Sequence, residues 1–225
     1  LLLLAAQVIC GIGMGIVAAI MGSSGSEWLG VGSLSIINLI AFSITYWIGL
    51  RWSRLKSRDA LFLRSVPLKL LLPMIVTTLG LVPLLNELGT ILVLLSPPSD
   101  FVNRMFNVAL GGDDAIWKAV LFLAVVAPIT EEPIFRGLLL GGLLKRYTPI
   151  KAILVSSVLF AFIHLNIYQF LTATLLGLLY GWWFLKTRSL WPSLLGHATN
   201  NAIVFLVPLF PVSGGFRQDV PQFQA

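Results

Sequence analysis

The chain has 225 residues, of which 57% are hydrophobic and only 11% charged, and its mean hydropathy is +0.93. A soluble domain of this length needs far more charge on its surface, so the composition excludes an ordinary globular protein and points to a polytopic membrane protein. The net charge of +6 does not indicate nucleic acid, because the positive residues sit in short clusters between apolar runs, where they set topology.

Seven apolar runs are long enough to cross a bilayer, near 1–22, 29–50, 66–95, 115–144, 150–166, 168–186 and 190–211. The first is too long and too poor in flanking basic residues to read as a cleavable signal peptide. It carries Cys10, a lone cysteine that cannot form an internal disulfide. The third run is overlong and holds Asn86 and Glu87, so a tilted, broken or re-entrant segment is expected. Three divisions follow: N-terminal spans and an extracytoplasmic loop over 1–114, a helical core over 115–211 and a polar tail over 212–225.

Basic residues separate the runs. Arg51, Arg54, Lys56, Arg58 and Arg64 follow the second, Lys145, Arg146 and Lys151 follow the fourth, and Lys186 and Arg188 follow the sixth. If the chain crosses at every run, all three clusters lie on one face, which the positive-inside rule makes cytoplasmic. Trp28, Trp47, Trp52, Trp117, Trp182, Trp183 and Trp191 fall near run ends, as an interfacial aromatic belt does. The pairs Gly137/Gly141 and Gly177/Gly181 suit close helix–helix contact.

Polar residues within membrane runs normally face a bundle interior. In the fourth run, APITEEPIFRG places Glu132 four residues before Arg136, the favourable spacing for a helical ion pair. Glu131 points about 100° away and is left to face something else. Pro128 and Pro133 each remove a backbone N–H, which in an α-helical register deprives the carbonyls of Ala124 and Ile129 of their partners. His164 follows Phe160 by four residues, and His197 precedes Asn201 by four. These are the chain's two histidines. Measured at ~1.5 Å per residue from the nearest basic cluster, Glu131 and His164 lie about 20 Å deep and His197 about 13 Å. All three can therefore share one plane.

A carboxylate and an imidazole, with a second imidazole and an amide beside them, suit hydrolysis of an amide bond. The acid serves as general base toward water, and the donors stabilise a tetrahedral oxyanion. Glu131, His164 and His197 could equally hold Zn²⁺ with water in the open position, although the spacing is not that of HExxH. The spacing leaves metal-bound and metal-free water both open. Ser156, Ser157 and Ser193 have no base at a persuasive spacing and read as helix-packing residues.

Taken together, EEPIFR, FAFIH and HATNN resemble the motifs EExxxR, FxxxH and HxxxN of the CAAX-protease and bacteriocin-processing intramembrane endopeptidases, also called abortive-infection proteins. The resemblance covers roughly residues 115–205. It implies an all-helical transmembrane bundle with a cavity open to the cytoplasmic side. It also implies that Glu131 and His164 position the water, that His197 and Asn201 form the oxyanion site, and that Glu132 and Arg136 support them. The family has been described both as metal-dependent and as glutamate-dependent. The expected substrate is a membrane-associated peptide or protein, lipidated or not, and the expected location a prokaryotic plasma membrane. The competing readings are a transporter or immunity scaffold that uses the cluster as a proton or cation relay, and a salt-bridge cluster that only locks helices together.

Overall fold

A computed structural model describes residues 31–54, 56–100 and 120–206. The first apolar run, the loop over 101–119 and the polar tail lie outside the described residues, as does the test of Trp28 and Trp117 as belt residues. The described residues form helices and no strands. Helix α1 spans Val31–Ser53, the short α2 Ser57–Leu61 and α3 Leu68–Leu95. Helix α4 runs without interruption over 122–143, and α5 spans Pro149–Phe162, α6 Ile167–Thr187 and α7 Trp191–Leu206.

Among the described residues a few charged side chains lie inside an otherwise apolar core, while many large apolar side chains lie outside. Glu132, Arg136 and His197 are buried, whereas Leu68, Leu95 and Ile150 are about three-quarters exposed. An interior that pairs charge and an exterior that presents hydrocarbon is the arrangement a bilayer favours. Among the described residues one helix, Leu68–Leu95, is by itself both long and apolar enough to cross a membrane. It is continuous despite Pro73 and Pro83, so the overlong third run is not broken.

Run five differs from expectation. Its helix ends at Phe162 rather than continuing to 166, and at 14 residues it is a short apolar helix. Asn166 forces the break. Its side chain accepts from the Tyr168 backbone N–H at 2.9 Å and caps the start of α6.

Helices α5 and α6 pack closely. A Cβ on Gly177 would lie 2.9 Å from the Cβ of Ser157, and one on Gly181 would lie 3.1 Å from Ile153, so both glycines of this pair serve the contact. Gly137 and Gly141 face a different neighbour, the α2 segment, where the Ala60 carbonyl occupies the space a side chain at 137 would need.

The extended segment after α2 is fixed at the basic end of the bundle. The Leu190 N–H donates to Phe62 O at 3.1 Å, and Ser189 Oγ donates to Arg64 O at 2.6 Å. The Phe62 ring meets Phe184 edge-on with centroids 5.1 Å apart. These bonds bring the 51–64 and 186–188 basic clusters to one end of the bundle. At the other end Tyr168 Oη donates to Ser96 O at 2.9 Å, joining the end of α3 to the start of α6.

Tryptophan placement is partly corrected. Trp47, Trp52, Trp182 and Trp191 are exposed, but Trp183 is 2% exposed and packs beside Tyr180 in the core. Residues 182 and 183 share a run end, yet adjacent positions on a helix point about 100° apart, and one of them faces inward.

Candidate active site

Helix α4 supplies the acids, and its backbone is irregular on both sides of them. Phe122–Val126 and Pro133–Leu140 are wound as π turns, with Ala127–Glu132 as α-helix between them. The Ala127 N–H donates to Phe122 O and the Gly141 N–H to Arg136 O, each five residues back. Pro128 and Pro133 are the cause, since neither can donate to the preceding turn. Thr130 Oγ1 lies within hydrogen-bonding distance of two carbonyls of the disturbed turn, Val126 O at 2.9 Å and Ala127 O at 3.0 Å. The first π turn also redirects the deficit foreseen at Ala124. Leu123 O loses its α-register donor, Ala127, to Phe122, and its π-register donor would be Pro128, which has no N–H.

Within this frame the two acids divide as the spacing predicts. Glu132 has no exposed surface, and its Oε2 lies 3.2 Å from Arg136 Nε. Glu131 keeps 14% of its side-chain surface exposed. Of the pair, Glu131 is the acid that can meet a ligand.

Glu132 has a second partner that the motif spacing does not reveal. Its Oε1 accepts from His197 Nδ1 at 2.9 Å across the α4–α7 contact. Beside a guanidinium the carboxylate is an acceptor, so Nδ1 carries the hydrogen and Nε2 offers its lone pair. Nε2 faces Glu131 Oε2 at 4.0 Å. Arg136, Glu132, His197 and Glu131 thus form a chain of four ionisable groups.

Arg136 is 1% exposed, and its Nη1 and Nη2 have no hydrogen-bond partner among the described residues. Aromatic faces stand in for acceptors. Its guanidinium carbon lies 4.5 Å from the Phe160 ring centre and 5.8 Å from that of Tyr180. Phe160 also meets His164 and His197 edge-on, with centroids at 5.3 and 5.7 Å. Tyr180 stacks on His197 at 6.1 Å. Sequence reasoning passes over Tyr180; its signal is a phenol on the inward face of α6, one helical turn after Leu176.

His164 sits in the turn just past α5 rather than within the helix. Its backbone N–H turns to Ala161 O, and its Nδ1 lies 3.0 Å from Phe160 O, the carbonyl that a continuing helix would bond to that N–H. Nδ1 therefore donates and Nε2 is again the free nitrogen.

Asn201 is engaged with the backbone. Its Nδ2 donates to Leu123 O at 2.7 Å, and its Oδ1 accepts from Asn200 Nδ2 at 3.1 Å. The packing serines behave as the sequence implies, with Ser156 Oγ donating to Phe135 O at 3.0 Å and Ser193 Oγ to Tyr180 O at 3.1 Å.

Among the described residues no three of His, Cys, Asp and Glu are grouped to hold a metal ion. A groove of about 370 Å³ lies away from the acids, at the basic end of α4, lined by Leu138, Leu139, Gly142, Leu143, Arg146 and Tyr147.

Comparison with known proteins places these residues in context. The family model described as type II CAAX prenyl endopeptidase Rce1-like matches residues 113–203, a segment that contains all three motifs. A Bacillus subtilis protein named "Putative membrane peptidase YdiL" is 29% identical over 110 residues. That alignment covers 49% of this chain and 45% of the relative, so the chain spans about half the length of the curated relative it matches. No solved structure matches the chain. Residues 113–203 are similar to the Rce1-like type II CAAX prenyl endopeptidases.

Proposed function

We propose that the protein is an intramembrane endopeptidase that hydrolyses a peptide bond of a membrane-associated protein or peptide, with Glu131 as general base. The observation that carries this reading is the approach of Glu131 Oε2 to His197 Nε2 at 4.0 Å, with the far side of His197 fixed by buried Glu132. A water about 2.8 Å from both atoms would subtend an angle near 90° at its oxygen, within hydrogen-bonding geometry. Likeness to the family and the named relative support a peptidase embedded in a membrane.

In this reaction the water oxygen bonds to the substrate carbonyl carbon while its proton passes to Glu131. The carbonyl oxygen becomes an oxyanion. Collapse of the tetrahedral species breaks the C–N bond, and the proton held by Glu131 goes to the departing nitrogen. One water is consumed and two peptides leave. His164, with Nδ1 committed to Phe160 O, keeps its Nε2 lone pair to accept from the water. His197 donates to the oxyanion after its Nε2 has taken up a proton from solvent, before the attack. The resulting imidazolium is stabilised by Glu132, as the buried carboxylate of a serine protease stabilises its histidine. We take the water as metal-free, because a carboxylate with an imidazole beside it is sufficient to activate it.

The reading is tested with full-length protein in lipid nanodiscs and a fluorogenic peptide bearing a C-terminal CAAX sequence, prenylated or not. Glu131→Gln and His164→Ala are expected to remain folded and to lose at least about 10²-fold in rate. Chelator is expected to leave the wild-type rate unchanged. Wild-type rates in both variants overturn the proposal. Loss of activity on chelation, restored by Zn²⁺, replaces the metal-free route with a metal-dependent one.

A further inference from the structure

We infer that Tyr180 is a positioning residue for the hydrolysis just proposed: its ring face holds the His197 imidazole in the rotation that keeps Nδ1 on Glu132 and turns Nε2 toward Glu131. The inference rests on the endopeptidase reading for its kinetic consequence and on the packing of α6 against α7 for its physical cause.

The bond from Nδ1 to Glu132 holds one corner of the imidazole. One bond is a pivot rather than a plane, and the last side-chain torsion of a histidine is broad and roughly two-fold. A half-turn about it would withdraw Nδ1 from Glu132 and present carbon where Nε2 now faces Glu131 at 4.0 Å. The plane must come from the neighbours. Phe160 meets the imidazole edge-on, at 5.7 Å and 89°, whereas Tyr180 lies closer to parallel, at 6.1 Å and 24°. A ring lying along the imidazole face resists rotation, because any large turn drives an edge into it.

Tyr180 is itself held against α7 at three places. It has no exposed surface. Its carbonyl accepts from Ser193 Oγ at 3.1 Å, one helical turn before His197. A Cβ on Gly196 would lie 2.8 Å from Tyr180 Cε1, so the ring rests on the backbone of the residue next to the imidazole. The third place is the imidazole face. Arg136 also meets this ring, with its guanidinium carbon 5.8 Å from the ring centre. Both partners of Glu132 thus rest against one buried ring, and α6 aligns the ion pair of α4 with the imidazole of α7.

The experiment compares Tyr180→Leu, Tyr180→Phe and Trp183→Leu in the full-length protein in nanodiscs. Trp183 shares the buried cluster of Tyr180 and also abuts Gly196, so its substitution disturbs packing without removing the face on which the imidazole stacks. Melting temperature, peptide cleavage and ¹⁵N spectra of the imidazoles are measured on the same samples. The spectra are simple because the chain has two histidines. Tyr180→Leu is expected to lower kcat by about 10²-fold, with KM within about twofold, as a displacement near 1 Å can do. Its His197 signals should shift from the Nδ1–H form to a mixture of Nδ1–H and Nε2–H forms. Tyr180→Phe, which keeps the ring face, should restore the native signals and bring kcat to within about threefold of wild type. Trp183→Leu should lower the melting temperature comparably while costing about threefold or less in kcat.

A Tyr180→Leu protein with wild-type kcat and unchanged His197 signals overturns the inference. Equal losses of kcat in Tyr180→Leu and Trp183→Leu also overturn it, since packing alone would then account for the effect. A Tyr180→Phe protein as slow as Tyr180→Leu overturns it by moving the role to the hydroxyl. If Tyr180→Leu does not fold, Tyr180→Met takes its place, filling the space with a flexible chain that has no ring face. In wild-type protein the His197 ring protons should carry the upfield displacement of a stacked aromatic neighbour, and its absence overturns the inference whatever the variants do. If the wild-type protein cleaves no peptide, the endopeptidase reading fails and the His197 spectrum alone decides the inference.

Discussion

Replacing Glu132 by Gln keeps the side-chain shape and removes its charge, and it should separate the two services this residue performs. Arg136 is 1% exposed and, among the described residues, is ion-paired to Glu132 at 3.2 Å. The first consequence is an uncompensated buried guanidinium, worth roughly 3–5 kcal/mol when one partner of a buried pair is removed. For a chain of this size that corresponds to a fall in melting temperature of about 6–20 °C. The second consequence is chemical. A glutamine amide can donate to His197 Nδ1, reversing the tautomer, and without the carboxylate charge nothing stabilises the imidazolium that donates to the oxyanion. The equivalent change in a serine-protease triad costs about 10⁴ in kcat, and a loss on the order of 10³–10⁴ is expected here.

The double variant Glu132→Gln/Arg136→Met removes the stranded charge while keeping the wrong tautomer. It should recover most of the lost melting temperature and none of the rate. Thermal unfolding in nanodiscs and steady-state peptide cleavage read the two effects independently. A Glu132→Gln protein with wild-type kcat would refute the reasoning, as would a double variant no more stable than the single one.

Two further substitutions probe the frame around the site. Phe160→Ala removes the ring that meets Arg136, His164 and His197, and should cost about 3–5 kcal/mol of stability, measured by thermal unfolding; Phe160→Leu, which keeps the volume but not the aromatic face, should be milder in stability yet still impair cleavage. Gly177→Val drives a side chain into Ser157 and should spread α5 from α6, costing about 1–3 kcal/mol. The added substitution Ser157→Gly should recover part of that loss in the same unfolding assay, and no recovery would mean that the contact does not set the helix separation.

Much of this architecture is legible in the sequence because a membrane simplifies the rules. Apolar exteriors leave ionisable residues only one place to go, so Glu132, Arg136 and His197 could be assigned to the interior from hydropathy alone. The i, i+4 spacing then gave the Glu132–Arg136 pair. What stayed hidden depends on backbone detail or on contacts between distant segments. An α-helical register assigns the missing proline donor to Ala124, and only the π turn moves the need to Leu123, where Asn201 answers it. The Glu132–His197 bond spans 65 residues, and no local periodicity encodes it. The end of α5 at Phe162 was missed because the apolar composition continues through Ile163 and Leu165, while Asn166 acts on the backbone rather than on hydropathy. Trp183 misled for the opposite reason: proximity to a run end says nothing about which side of the helix a residue takes.

The segment that crosses the basic end of the bundle carries a mechanical consequence. Ala60 rests against Gly137, Phe62 O holds the Leu190 amide, and Arg64 O holds the Ser189 hydroxyl, so one short strap stitches α4 to the α6–α7 corner. Parting those helices at that end means breaking several attachments together, whereas among the described residues the Tyr168–Ser96 and Asn201–Leu123 bonds join helices toward the opposite end. Any breathing that admits a bulky chain to Glu131 should therefore pivot about the strapped end, like a book opening away from its spine.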